Sequence, residues 1–202
     1  MSDNMRNKWY NLFKRPFYVT GRMSLNQLRT LCVMGTFDDA ANQAVSQIKE
    51  QLKVRGIGVD AYEPHVTFGI YTGLDEAPLL EWVAEVAARH PSIPLCFNHF
   101  GFFPDAYTCF LAPCPDGALL RLHSDIRQQY DDRCADKGCL YSLEQKNWAP
   151  HMTVASIGPG QAEGLLSVFR EGFSPFRAVL TELKITSSEQ EGALGSFKLR
   201  DI

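Results

Sequence analysis

No apolar run in this 202-residue chain approaches the ~20 residues that a membrane-spanning helix needs. The first residues, Met1 to Arg15, have no continuous apolar core of the kind that marks a secretory signal. Together these absences predict an intracellular, cytoplasmic protein in a reducing compartment. There is no C-x-x-C among the six cysteines, and the spacings Cys109–Cys114 and Cys134–Cys139 do not fit the common zinc patterns. Cys32, Cys96 and Cys109 lie in apolar, strand-like runs and read as small core residues rather than a disulfide framework. No H-x-H-x-H occurs, which disfavours a nucleotide hydrolase of the HIT type. A large excess of either charge is also missing. Lys+Arg number 20 against 23 Asp+Glu, a formal net charge of −3, which excludes a histone-like, charge-driven grip on nucleic acid. The balance is uneven: residues 1–29 carry six basic side chains and one acidic one, a local +5, leaving −8 for the remainder.

What is present is globular. Hydrophobic residues make up 45% and charged residues 21%, too apolar for a disordered chain. Residues 1–27 lack periodicity but interleave Trp9, Tyr10, Phe13, Phe17 and Tyr18 with basic residues. They read as a terminal arm packed on the body, or one that covers an anionic substrate. From Leu28 the pattern is regular. Thr30–Phe37 reads as a buried strand, and Asp38 starts a helix with Ala41, Val45, Ile48 and Leu52 on one face and Gly56 at its end. Pro64–Tyr71 reads as a strand. Asp75 opens a helix with Leu79, Val83 and Val86 inward, stopped by Pro91. Ile93–Phe97 and Ala106–Ala112 are strand-like, followed by a helix capped by Asp116 with Leu119, Leu122, Ile126 and Tyr130 inward. Cys139–Leu143 and His151–Ile157 are strand candidates, then a helix with Leu165, Phe169 and Phe173 inward. A hairpin closes the chain: Val179, Thr181, Leu183 and Ile185 alternate with Leu180, Glu182, Lys184 and Thr186, and the turn is expected within Glu191–Gly195. With no long linker between similar halves, this is one α+β domain of two lobes over residues 28–202.

One sequence recurs. Pro64-His65-Val66-Thr67 returns 86 residues later as Pro150-His151-Met152-Thr153, each followed by an apolar residue, Phe68 and Val154. Composition alone gives roughly 0.2 H-x-T matches, so two in the same context are informative. In a strand, alternate side chains share a face. Each copy therefore presents an imidazole and a hydroxyl together and buries the apolar residues on the other side. An imidazole titrates near neutral pH, so two of them flanking one reacting group supply a general base and a general acid. The Thr67 and Thr153 hydroxyls suit the non-bridging oxygens of a phosphodiester. No carboxylate-rich metal cage is evident near either copy.

The HVTF and HMTV copies resemble the paired H-x-[ST]-x signature of the 2H phosphoesterase superfamily, the 2′-5′ RNA ligase-like and cyclic phosphodiesterase proteins. The likeness extends from about Leu28 to Ile202 in the order of strands and helices. It implies a bilobed, two-sheet fold with pseudo-two-fold related lobes, helices on the outer faces and the motifs facing each other across a central cleft. It also implies metal-independent cleavage of 2′,3′-cyclic or 2′-5′ phosphodiester bonds, with no cofactor. The expected ligand is an RNA end or a small cyclic nucleotide, with no membrane and no obligate protein partner. Reversible 2′-5′ RNA ligation and non-catalytic binding of RNA ends are the alternatives.

Other residues are weighed as substrate contacts. Trp148, three residues before His151, could stack on a base. Phe37 and Phe103 are comparable candidates, and Arg177 could meet phosphate. His90 reads as a solvated cation at a helix end, His123 as a core or boundary residue, and His99 as part of an aromatic bend.

Overall fold

Carboxylates fix where two of the helices begin. The computed structural model describes residues 29–103, 108–114, 116–133, 141–142, 148–158 and 160–201. In it the Asp38 carboxylate accepts a hydrogen bond from the Ala41 amide at 3.1 Å and starts α1 (Asp39–Val54). Asp116 accepts from the amides of Ala118 (2.7 Å) and Leu119 (3.1 Å) and starts α3 (Gly117–Gln128). Such caps satisfy amides that have no partner inside the helix and contribute about 1 kcal/mol each. The inward residues are the periodic ones: Ala41, Val45, Ile48 and Leu52 in α1; Leu79, Val83 and Val86 in α2 (Glu76–Arg89); Leu165 and Phe169 in α4 (Ala162–Gly172). α1 stops at Gly56, whose φ of 69° suits a residue without a Cβ.

The strands among the described residues are β1 (Thr30–Phe37), β2 (Gly58–Val59), β3 (His65–Thr72), β4 (Ile93–Phe103), β5 (Thr108–Pro113), β6 (Met152–Ser156), β7 (Phe176–Ser187) and β8 (Gln190–Lys198). Every pairing is antiparallel, in the order β2-β6-β5-β4-β7-β1-β3, with β8 on β7. The two expected sheets are thus joined into one hydrogen-bonded path. Long β7 makes the join: Phe176–Leu180 pair with β4, and Glu182–Ser187 pair with β8.

Several boundaries differ from the sequence reading, each for a local reason. β2, two residues long, exists because Gly58 and Val59 pair with Ser156 and Ala155. β4 runs on through the expected bend to Phe103, with a register shift between Phe97 and His99 absorbing the irregularity. In β7 the alternation inverts at Thr181. Ala178 and Leu180 are buried, then Leu183 and Ile185, opposite a register shift between Thr36 and Phe37. The hairpin turns at Ser188–Glu189, ahead of the glycines. Gly192, at φ 84°, sits instead at a register shift inside β8. Of the expected strand Cys139–Leu143 only Tyr141 and Ser142 are described, and they are not in a strand. The arm 1–27, Cys134 and Cys139 lie outside the described residues. Cys32, Cys96, Cys109 and Cys114 are free thiols.

The connection from β2 to β3 shapes the whole sheet. These strands end the path on opposite sides, yet only residues 60–64 separate them. Six strand spacings laid flat would put them roughly 29 Å apart. The linking segment reaches at most about 20 Å. The sheet therefore curls, and β3 and β6 approach until their Cα atoms lie within 8 Å. The apolar residues of both motifs face the core: Val66, Phe68, Met152 and Val154 are all 0% exposed.

The core is tightest around β1. A Cβ on Gly35 would lie 2.8 Å from both Leu180 Cδ1 and the Phe68 ring. Gly35→Ala is expected to lower stability by about 1–3 kcal/mol through overpacking. A lowered urea midpoint at unchanged m-value checks this.

Candidate active site

Each motif begins with a proline, and the proline's effect reaches the histidine. A residue before proline is held extended. Glu63 precedes Pro64, and its carbonyl oxygen accepts a hydrogen bond from His65 Nδ1 at 2.8 Å. Ala149 precedes Pro150, and its carbonyl accepts from His151 Nδ1 at 2.7 Å. With Nδ1–H committed in both rings, Nε2 is the nitrogen free to take or give a proton. The same local geometry thus arises twice from the same four-residue sequence.

Surroundings distinguish the two histidines. His151 is half-buried and flanked by aromatic rings: Phe103 stands edge-on at 4.8 Å and Phe110 at 5.5 Å between centroids. Burial there holds its pKa below the ordinary 6.5. The bond to Ala149 opposes that shift and the charge of His65 adds to it. Phe110 reaches this position because its ring lies over Gly101, where a Cβ would stand 2.6 Å from the ring. His65 has charged neighbours. Lys184 on β7 donates to both Glu63 carboxylate oxygens, at 2.8 and 2.9 Å, and Asp60 lies within the field of His65.

Thr67 shares a face with His65, since their β1 partners Met34 and Thr36 are two residues apart. Its side chain lies within hydrogen-bonding reach of the Tyr141 hydroxyl and the Cys32 thiol. Burial raises the pKa of both those groups, Cys32 to about 11, so they stay protonated at neutral pH. Thr153 is cross-strand from Phe110, on the aromatic side.

Trp148, expected as a surface for a base, is built into the support. Its indole N–H donates to the Thr67 carbonyl at 3.1 Å, and its ring stacks on His123 at 3.8 Å with 7° between planes. Thr67 belongs to one motif and Trp148 leads into the other, so this bond ties the two together. His123 is buried and bonded through Nε2 to the Tyr141 carbonyl at 3.0 Å. Phe37 belongs to the core, 6% exposed and edge-on to Phe97, so it offers no free face. Phe103 is at the site, against His151. Arg177 is exposed opposite Cys96, and among the described residues it makes no hydrogen bond or ion pair to either motif. His90 bonds Asp125 at 2.7 Å, and His99 is exposed beside Asn98.

Sequence reasoning missed Tyr62, Phe110 and Tyr141. Tyr62 stands edge-on to His65 at 6.3 Å and is 70% exposed. Its place three residues before a motif histidine, like that of Trp148, was the available signal. Phe110 and Tyr141 come to the site only through pairing and loop packing.

A model of the 2′-5′ RNA ligase superfamily matches residues 36–192. Among solved structures the chain is similar to TT0787 of Thermus thermophilus, at 15% identity and a TM-score of 0.61, covering 85% of this chain and 98% of that one. It is also similar to E. coli LigT complexed with 3′-AMP, at 14% identity and a TM-score of 0.58, again covering 85% and 98%. LigT with phosphate gives 16% identity and a TM-score of 0.53 over 86% and 98%. At these identities the likeness is one of fold. No curated protein matches the chain.

His123 makes the support of the site sensitive to acid. Burial depresses its pKa to about 4 from 6.5. A folded-state pKa below the unfolded value means that the unfolded chain binds the proton more readily. Stability is therefore full above pH 6.5 and falls as pH drops towards 4, by up to roughly 3 kcal/mol. Urea unfolding of the protein and of His123→Gln across this range is expected to show a shallower pH dependence in the variant.

Proposed function

The chain belongs to the 2′-5′ RNA ligase superfamily, and on that footing we propose that it is a metal-independent phosphodiesterase for RNA-type phosphodiesters, acting on 2′,3′-cyclic phosphate ends or 2′-5′ linkages. The observation that carries this reading is the matched pair of Nδ1-to-carbonyl bonds at His65 and His151, which leaves two Nε2 atoms for proton transfer.

His151 is the imidazole that burial favours as neutral, so it is the base. It takes a proton from the attacking water as the new P–O bond forms. The acid role falls to His65, which gives its Nε2 proton to the ribose oxygen as the old P–O bond breaks. Thr67 and Thr153 donate hydroxyl hydrogen bonds to the two non-bridging oxygens, where negative charge gathers. Phe103 and Phe110 pack against His151, and burial there keeps its imidazole in the neutral form that can accept a proton. Both proton transfers are supplied by side chains, so the scheme requires no metal to make a nucleophile or protect a leaving group.

His65→Ala and His151→Ala are each expected to lower kcat/KM by about 10²–10⁴-fold at an unchanged urea midpoint. Chelator is expected to leave wild-type turnover intact. A double variant as active as the wild type would sink the mechanism. Because the base works only when neutral, the acidic limb of kcat/KM is expected below pH 6.5, and a limb above that value counts against His151 as the base.

A further inference from the structure

We propose that Tyr62 is a stacking platform for the nucleobase on the leaving-group side, so that the preferred substrate is an internucleotide linkage with a base on each side of the phosphate, not a cyclic phosphate. The proposal rests on the reading of the site as a phosphodiesterase.

Single exposed hydrophobic residues are ordinary on protein surfaces. Among the described residues Val54, Tyr62, Leu120 and Leu166 are the large ones, and of these Tyr62 alone has a ring contact with a motif histidine. Its ring stands at 89° to the His65 imidazole and leaves most of its surface open.

The main chain of Tyr62 is anchored although its side chain is exposed. Its carbonyl accepts a hydrogen bond from Lys49 Nζ at 2.9 Å, and its amide lies close to the Asp60 carboxylate. Lys49 and Asp60 stand 3.7 Å apart, with side chains only 11% and 17% exposed. Withdrawing an ion pair from water is expensive. The cost is visible in both partners, since burial raises the Asp60 pKa and lowers that of Lys49. Asp60 is also tied to the second motif, its amide donating to the Val154 carbonyl at 3.0 Å. A desolvated pair is thus kept in place beside the Tyr62 main chain, with Lys49 bonded to its carbonyl, and the ring itself stays largely open. That arrangement fixes where the ring stands and keeps its surface free.

The ring's position completes a pattern. His151, the base, is flanked by Phe103 and Phe110, and His65, the acid, by Tyr62. Aromatic surface therefore lies on both sides of the phosphate. The leaving oxygen is at His65, and in an internucleotide linkage it carries a second nucleoside whose base can lie on Tyr62. In a 2′,3′-cyclic phosphate both ester oxygens belong to one ribose, so its single base can use Tyr62 or the other aromatic surface but not both.

The test compares a 2′-5′-linked adenylyl-adenosine with adenosine 2′,3′-cyclic phosphate, using the full chain. In Tyr62→Ala the ratio of kcat/KM for the dinucleotide to that for the cyclic phosphate is expected to fall about tenfold or more, chiefly through KM, as lost stacking predicts. Tyr62→Phe keeps the ring and is expected to restore the ratio. An unchanged ratio in Tyr62→Ala overturns the preference for an internucleotide linkage, unchanged kcat/KM for both substrates overturns the platform, and so does a Tyr62→Phe variant as impaired as Tyr62→Ala. A second arm does not depend on turnover. A 2′-5′ dinucleotide with 2-aminopurine as the leaving base is titrated into His151→Ala with and without Tyr62→Ala. Fluorescence quenching that requires Tyr62 supports the platform, and quenching that is absent or indifferent to Tyr62 overturns it. If the wild type turns over neither substrate, the phosphodiesterase reading fails and the titration alone decides the role of Tyr62.

Discussion

The reach of five residues constrains everything else in this molecule. Segment 60–64 joins strands that sit at opposite ends of the sheet path, and it is shorter than the flat sheet is wide. The sheet must curl, and curling brings β3 against β6. Each of these strands carries one copy of the repeated tetrad or begins directly after its histidine. The same segment supplies the Glu63 carbonyl that orients His65, the Asp60 amide that bonds Val154, and the Tyr62 ring. A connection that is topologically forced has thus become part of the site's framework.

Two halves with the same local geometry sit in unlike surroundings. Around His65 the neighbours are Lys184, Glu63 and Asp60; around His151 they are phenylalanines. A repeated motif alone would give two equivalent imidazoles. Here the surroundings set them apart: burial lowers the pKa of His151, while the residue bonded to His65 Nδ1 carries an ion pair to Lys184. The Trp148 indole, donating to the Thr67 carbonyl, holds the two environments in register with each other.

Much of this was legible in the sequence because it depends on local rules. Helix caps at Asp38 and Asp116, the inward faces of the helices, and the apolar–polar alternation of both motifs follow from periodicity and side-chain chemistry. What was not legible depends on partners far along the chain. Nothing near Gly58 and Val59 marks a strand, since its pairing lies with Ala155 and Ser156. Phe110 reaches His151 only because Gly101 on the neighbouring strand leaves room for its ring. Trp148 and Phe37 read as aromatic contacts for a ligand, but a buried His123 and a buried Phe97 take those surfaces first. Glycines near the C-terminus looked like a turn and proved to be irregularities inside β8, because the chain reverses two residues before Gln190.

The paired Nδ1 bonds have a consequence for the order of events between turnovers. Neither ring has to rotate to change role, because each keeps its Nδ1 proton on a carbonyl and works through Nε2 alone. In the proposed reaction one cycle leaves His151 protonated and His65 neutral, the reverse of the starting state. The enzyme just after turnover is therefore poised, for as long as that state lasts, to run the opposite way. Resetting requires only that one proton leave and another arrive. In that scheme the return to the forward-competent form is proton exchange at two Nε2 atoms and needs no rotation of either ring.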